Sequence, residues 1–204
     1  MKTGFNIIGM HCASCAVKNE AALKKLNGVE DATVNYAMGS ASVEFDESKI
    51  NEMDLHKIII KNGYTVSTDN HEKREHDHHA ANKVGLKATV SILLSLPLLY
   101  IVMTGAEFLY VDIVQLVLGI FVVFIMGFEF HAGMLKQLKM GAANMDSLIS
   151  LGTMAAIFYS LWAYFSGLGN FYFETGAVIT ALILLGRYFE AKTKGQASEA
   201  ISKL

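Results

Sequence analysis

The chain has 204 residues, 52% of them apolar, with 17 Lys/Arg against 19 Asp/Glu and a formal net charge of −2. That balance excludes a basic nucleic-acid-binding surface, so no nucleic acid is expected among its partners. The mean conceals two regimes: residues 1–83 hold ten of the basic and twelve of the acidic side chains, and residues 84–204 hold seven of each in a far more apolar stretch. A soluble domain followed by a membrane region is expected.

In chain order, Phe5–Ile8 reads as a strand and Ala16–Leu26 as a helix, with apolar Ala16, Val17, Leu23 and Leu26 among polar residues. Strands follow at Ala32–Tyr36 and Ala41–Phe45, joined at Gly39-Ser40, then a helix at Glu52–Asn62 that Asn62-Gly63 ends, and a strand at Tyr64–Ser67. The order β-α-β-β-α-β over residues 1–69 is the ferredoxin-like arrangement, an α+β fold.

The chain's two cysteines, Cys12 and Cys15, fall on the first strand-to-helix turn with C-x-x-C spacing. A helix N-terminus favours thiolate, and cysteine pKa values in such settings fall from about 8.5 to roughly 3.5–7.5. Two soft sulfurs within one turn suit a low-coordinate cation such as Cu(I). A thioredoxin-like redox pair is an alternative, but the intervening Ala13-Ser14 lacks a proline, and Pro97 is the sole proline. A structural zinc site would need four ligands. No signal peptide opens the chain, so the domain is expected in the cytosol, where thiols stay reduced and a structural disulfide is disfavoured.

Residues 70–83 have no apolar period and read as a flexible, His-rich linker. His71, His76, His78 and His79, with acidic neighbours, either hold Zn(II), Ni(II) or Cu(II) loosely as a buffer or sensor, or are incidental to a solvated hinge. Residues 84–204 then predict an all-α region of four transmembrane helices at about 86–106, 111–130, 147–166 and 171–191. Pro97 lies in the first, and Gly152, Ala155 and Ala156 mark close helix contacts in the third. Between the second and third, an amphipathic platform at 131–141 alternates Met134, Leu135 and Leu138 with His131, Lys136, Gln137 and Lys139, suited to a membrane surface. The Gly105–Asp112 and Gly167–Phe173 connectors carry no Lys or Arg, whereas the opposite side carries Lys136, Lys139, Arg187, Lys192, Lys194 and Lys203. The positive-inside rule therefore puts both termini in the cytosol. Acidic groups in or at the ends of spans are functional candidates, because an intramembrane charge costs about 2.5–3.5 kcal/mol on insertion scales. Glu174 and Glu190 meet that description, separated by roughly 24 Å along one helix at about 1.5 Å per residue.

Gly9-Met10-His11-Cys12-Ala13-Ser14-Cys15 resembles the Gly-Met-x-Cys-x-x-Cys metal loop of the heavy-metal-associated (HMA) domain. Asn144-Met145-Asp146-Ser147-Leu148-Ile149-Ser150-Leu151-Gly152 is similar to the Asn-Met-Asp-x-Leu-Ile-x-Leu-Gly signature of copper-transporting P-type ATPases. Tyr172–Ile179 with Leu184–Lys192 resembles that family's next span. Together they cover nearly the whole chain in the family's order. The resemblance implies Cu(I) on Cys12 and Cys15, Met145 and Glu190 at the Cu(I) entrance, and Glu174 at its exit. Against these stand ordinary packing for Met145 and a helix-end pair of Glu190 with Lys194. His11, where the family commonly has Thr, is at most a weak ligand, and Met10 belongs under the loop. Tyr64 either lies beside the loop, as the family's aromatic does, or simply packs. Zinc-transporting relatives carry Asp before the first Cys and lack Asn-Met-Asp, which again favours Cu(I). The platform is expected to receive a cytosolic copper chaperone or the N-terminal domain, although Phe128 and Glu129 stand where the family often has Arg-Pro.

The family's Thr-Gly-Glu, Cys-Pro-Cys and Asp-Lys-Thr-Gly-Thr motifs are not in this sequence, and neither is a P-loop. Catalytic residues are therefore not expected here, and ATP and Mg enter only through the remainder of the ATPase. The expected function is Cu(I) binding and export as the N-terminal part of a multi-pass P-type ATPase (a translocase) of a bacterial plasma membrane. A stand-alone membrane-tethered copper-binding or delivery protein is the alternative, and a membrane thiol reductase is a third.

Overall fold

The computed structural model describes residues 1–10, 12–68, 70–105, 110–139, 141–167 and 169–202, with backbone alone for 70–80 and 197–202. They form two units, one built on Met1–His79 and the other on Ala80–Ala191.

In the first unit, β1 (Lys2–Ile8), β2 (Val29–Asn35), β3 (Ser40–Phe45) and β4 (Thr65–Ser67) pair antiparallel in the order β2-β3-β1-β4, with α1 (Ala13–Lys24) and α2 (Glu52–Lys61) between them in sequence. Strict alternation in β3 sends Ala41, Val43 and Phe45 inward, where they meet Phe5, Ile7, Leu23, Leu55 and Ile59. Each such large side chain stabilises the fold by about 1.5–3 kcal/mol. Asn51 starts α2 by accepting the Asp54 N–H at 3.0 Å, and Gly63, at φ +85°, lets the chain leave it. On the outer edge of β2 the Val34 N–H donates to Glu20 of α1 at 3.0 Å, and Lys24 pairs with the same carboxylate. These two partners hold the Glu20 carboxyl below the usual carboxylate range. The ferredoxin-like order expected from the sequence is the one observed.

After β4 the expectations need three corrections. The stretch 70–83, expected as a flexible linker, is helical in its backbone: α3 runs unbroken over Asn70–Thr104, with Pro97 inside it. Glu72, Lys73, Arg74, Glu75, Ala80 and Ala81 are strong helix formers, so the missing apolar period does not mean a missing helix. The span expected at 111–130 is broken. It comprises α4 (Val111–Ile120), a π-helical turn (Phe121–Met126) and α5 (Phe128–Lys139), bent by 54°. The helix that holds most of the expected platform stretch 131–141 begins at Phe128. Finally, among the described residues two helices, Ala81–Thr104 and α6 (Met145–Ser166), are long and apolar enough to cross a membrane, or three if the bent pair counts as one span. Four spans do not emerge by that measure, because Glu174, Arg187 and Glu190 crowd the apolar part of α7 (Phe173–Ser202).

Gly127 makes the bend. Its N–H donates to the Val122 carbonyl at 3.0 Å, five residues back, and not to Val123 as α-geometry requires. A Cβ on Gly127 would stand 2.4 Å from the Val123 carbonyl oxygen and 3.0 Å from Thr180 Cγ2. Only glycine fits this close approach of the chain to itself. Close packing elsewhere follows the same logic: a Cβ on Gly119 would meet Phe173 Cβ at 2.9 Å, and one on Gly176 would meet Val123 Cγ2 at 3.2 Å.

Two outcomes are expected. Gly127→Ala lowers the stability of the membrane half in detergent unfolding by about 1–3 kcal/mol, whereas Gly186→Ala, whose Cβ would meet nothing within 4 Å, leaves it unchanged or slightly raised. In the first unit, the Ser48 hydroxyl, the Lys49 ammonium and the Ser48 N–H hold the Asp46 carboxyl at about 2. A folded-state value below the unfolded one contributes stability that is complete above about pH 4 and disappears as pH falls toward about 2. Thermal melts of a residue 1–69 fragment should show Asp46→Asn below wild type at neutral pH, with the gap closing through that acid window.

Candidate metal centre

The loop between β1 and α1 turns at Gly9, with φ +93°, and delivers Cys12 as the extended residue before α1. Cys15 lies in the first turn, and its N–H donates to the Cys12 carbonyl at 3.0 Å. The two sulfurs are 2.8 Å apart and both are free thiols, Cys12 half-buried and Cys15 buried. The Cys12 thiol does not cap the helix. Met10 is buried in the core beneath the loop, and Tyr64 is buried with it; a Cβ on Gly9 would stand 3.9 Å from Tyr64 Cδ1. The ring therefore lies against the loop and packs in the core at once. His11 is outside the described residues, as are the side chains of His71, His76, His78 and His79. Among the described residues no three of His, Cys, Asp and Glu gather as a metal cluster.

In the second unit the start of α6 explains the Asn-Met-Asp order. Asn144 caps the helix, its Oδ1 accepting the Ser147 N–H at 3.0 Å while the Ser147 hydroxyl accepts the Asn144 N–H at 3.3 Å. Asp146 is buried, takes a hydrogen bond from Asn144 Nδ2 at 3.2 Å and forms an ion pair with Arg187 of α7. The Arg187 guanidinium lies 4.5 Å over the Phe130 ring. A Cβ on Gly133 would come within 2.6 Å of Asp146 Oδ2, so glycine admits the carboxylate against α5. Met145, between the cap and the buried charge, is 41% exposed, and its thioether is not committed to a core. Glu190 follows Arg187 by three residues on α7, so the Asp146–Arg187 pair draws this segment to the start of α6. Glu174 sits in the first turn of α7; Thr175 Oγ1 donates to its Oε1 at 3.1 Å, and Oε2 is buried without a partner among the described residues. Asp146 and Arg187 were not legible as a pair in the sequence; the one available signal was a charge on each side of an otherwise apolar stretch.

Removing one member of the pair should be worse than removing both. Arg187→Met leaves Asp146 buried without compensation and is expected to cost about 3–5 kcal/mol. The double variant Asp146→Asn/Arg187→Met should recover most of it, read by reversible unfolding of the chain in detergent.

The profile of the Heavy-metal-associated domain matches residues 5–65. A copper-exporting P-type ATPase of Bacillus subtilis is 38% identical over 100% of this chain and 27% of its own length. One of Staphylococcus epidermidis is 36% identical over 98% of this chain and 27% of its own. The solution structure of the N-terminal domain of a potential copper-translocating P-type ATPase from Bacillus subtilis, in the Cu(I)-loaded state, is 37% identical with a TM-score of 0.32, covering 33% of this chain and 84% of that one. The chain spans about a quarter of the length of the curated relatives it matches. It carries an HMA domain and is homologous over its full length to copper-exporting P-type ATPases, as befits the N-terminal part of such an ATPase.

Proposed function

We propose that this chain is the metal-receiving N-terminal part of a Cu(I)-exporting P-type ATPase. The observation that carries this reading is the pair of free thiols, 2.8 Å apart at the start of α1, in a chain homologous along its whole length to copper exporters. Cu(I) is the cargo on Cys12 and Cys15. With metal–thiolate bonds of about 2.3 Å, a near-linear S–Cu–S unit needs the sulfurs roughly 4.6 Å apart. Half-buried Cys12 turns outward to reach that separation, while Cys15 stays packed. The helix dipole of α1 favours the negative charge of the bis-thiolate complex.

Downstream, four spans with both termini in the cytosol bring Met145 and Glu190 to the inner face and Glu174 to the outer. Met145 and Glu190 receive the ion, a thioether and a carboxylate beside the Asp146–Arg187 pair. The Glu174 carboxylate, with its unpartnered Oε2, accepts it on the way out. The exposed Leu135, Lys136, Leu138 and Lys139 of α5 form the platform on which a cytosolic copper chaperone of acidic surface docks. ATP and Mg act through the other parts of such an ATPase.

Anaerobic Cu(I) titration against a competing chelator tests the central point. The chain should take up one tightly held Cu(I) at the thiol pair. Cys12→Ser should weaken that site at least 100-fold without unfolding the domain, since Cys12 lies at its surface. Retention of the tight site in Cys12→Ser, or insulin reduction without copper affinity, overturns the reading.

A further inference from the structure

We propose that His131 and Met154, with Ser150 between them, form a second site for a soft monovalent cation inside the helical unit. This rests on the reading that the chain handles Cu(I) and extends it to a position remote from the thiols. The bend creates the site. Because Gly127 donates to Val122, the Val123 carbonyl loses its helical partner, and His131 Nε2 takes it at 3.0 Å. A carbonyl only accepts, so Nε2 bears the hydrogen. In the neutral ring the lone pair is then on Nδ1, which faces Ser150 Oγ at 2.5 Å. Ser150 Oγ is also 3.6 Å from Met154 Sδ. One hydroxyl hydrogen faces two acceptors, so either the imidazole nitrogen or the thioether is always left with a lone pair directed into the same space.

An imidazole whose second nitrogen is fixed by a backbone carbonyl is the usual arrangement of a metal-ligating histidine. Imidazole and thioether together select a soft ion such as Cu(I). Metal–ligand bonds of about 2.0–2.3 Å bring nitrogen and sulfur onto one ion after a turn of the unbranched Met154 side chain. Ser150 makes room by rotating its hydroxyl toward the carbonyl one turn back on α6. The charge is limited to one. Among the described residues His131 meets Ser150, the Val123 carbonyl and the Phe124 ring stacked at 5.1 Å, none of them anionic, and Asp146 is already paired with Arg187. A divalent ion there would be left uncompensated.

The test uses the whole chain in lipid nanodiscs, Cys12→Ser/Cys15→Ser, labelled at the methionine methyls and titrated with Ag(I) as a diamagnetic probe. The Met154 methyl resonance, assigned by its loss in Met154→Leu, should shift and saturate. His131→Gln keeps an amide donor for the Val123 carbonyl but removes the ring nitrogen, and should raise the midpoint at least tenfold. Met154→Leu leaves the His131–Val123 bond in place and should lower Ag(I) affinity at least tenfold in a chelator competition. An unmoved Met154 methyl, or unchanged affinity in Met154→Leu, overturns the proposal and leaves His131 as a brace for the bend alone. The wild-type chain reports separately on the thiols: failure of Cys12 and Cys15 to bind the ion overturns the proposed function, whatever Met154 does.

Discussion

Two opposite charges, Asp146 and Arg187, are withdrawn from water together, and the helical unit is arranged around keeping them so. Neither is tolerable alone in apolar surroundings, where an unpaired ion is far costlier than any single packing defect. The requirement fixes α5, α6 and α7 at one point. Gly133 is small so that α5 can approach the carboxylate, Phe130 lies flat under the guanidinium, and Asn144 both caps α6 and bonds Asp146. Met145 faces outward because its neighbours on either side are engaged inward. A helix cap, an ion pair and an exposed sulfur thus share three consecutive residues.

The first unit was legible because its signals are local. Period-two alternation in β3, the Asn51 cap and the Gly63 turn each belong to a single element, and the two cysteines announce themselves by spacing. The limits of the reading lie where partners are distant in sequence. Nothing in the order of residues says that Arg187 finds Asp146, or that His131 replaces a lost helical hydrogen bond at Val123. The bend is hidden for a related reason: a single glycine, Gly127, inside an apolar run does not by itself mark a break. The linker was misread by a different route, since amphipathic period reports burial of one face, and the helix at 70–83 continues directly into an apolar one.

The two soft-donor groupings differ in how they are built. Cys12 and Cys15 are presented by a tight turn before a short helix, with one sulfur near the surface. His131 and Met154 are held by helix packing, and their intervening hydroxyl must move before both can act.

The bond from Val34 to Glu20 has a consequence for crowding. An uncovered β2 rim would offer its amides to the next molecule, as edge strands do. Here one of those amides is already occupied by the Glu20 side chain. Copies held close together therefore find one hydrogen-bond donor fewer along this rim, which makes pairing from sheet to sheet less favourable.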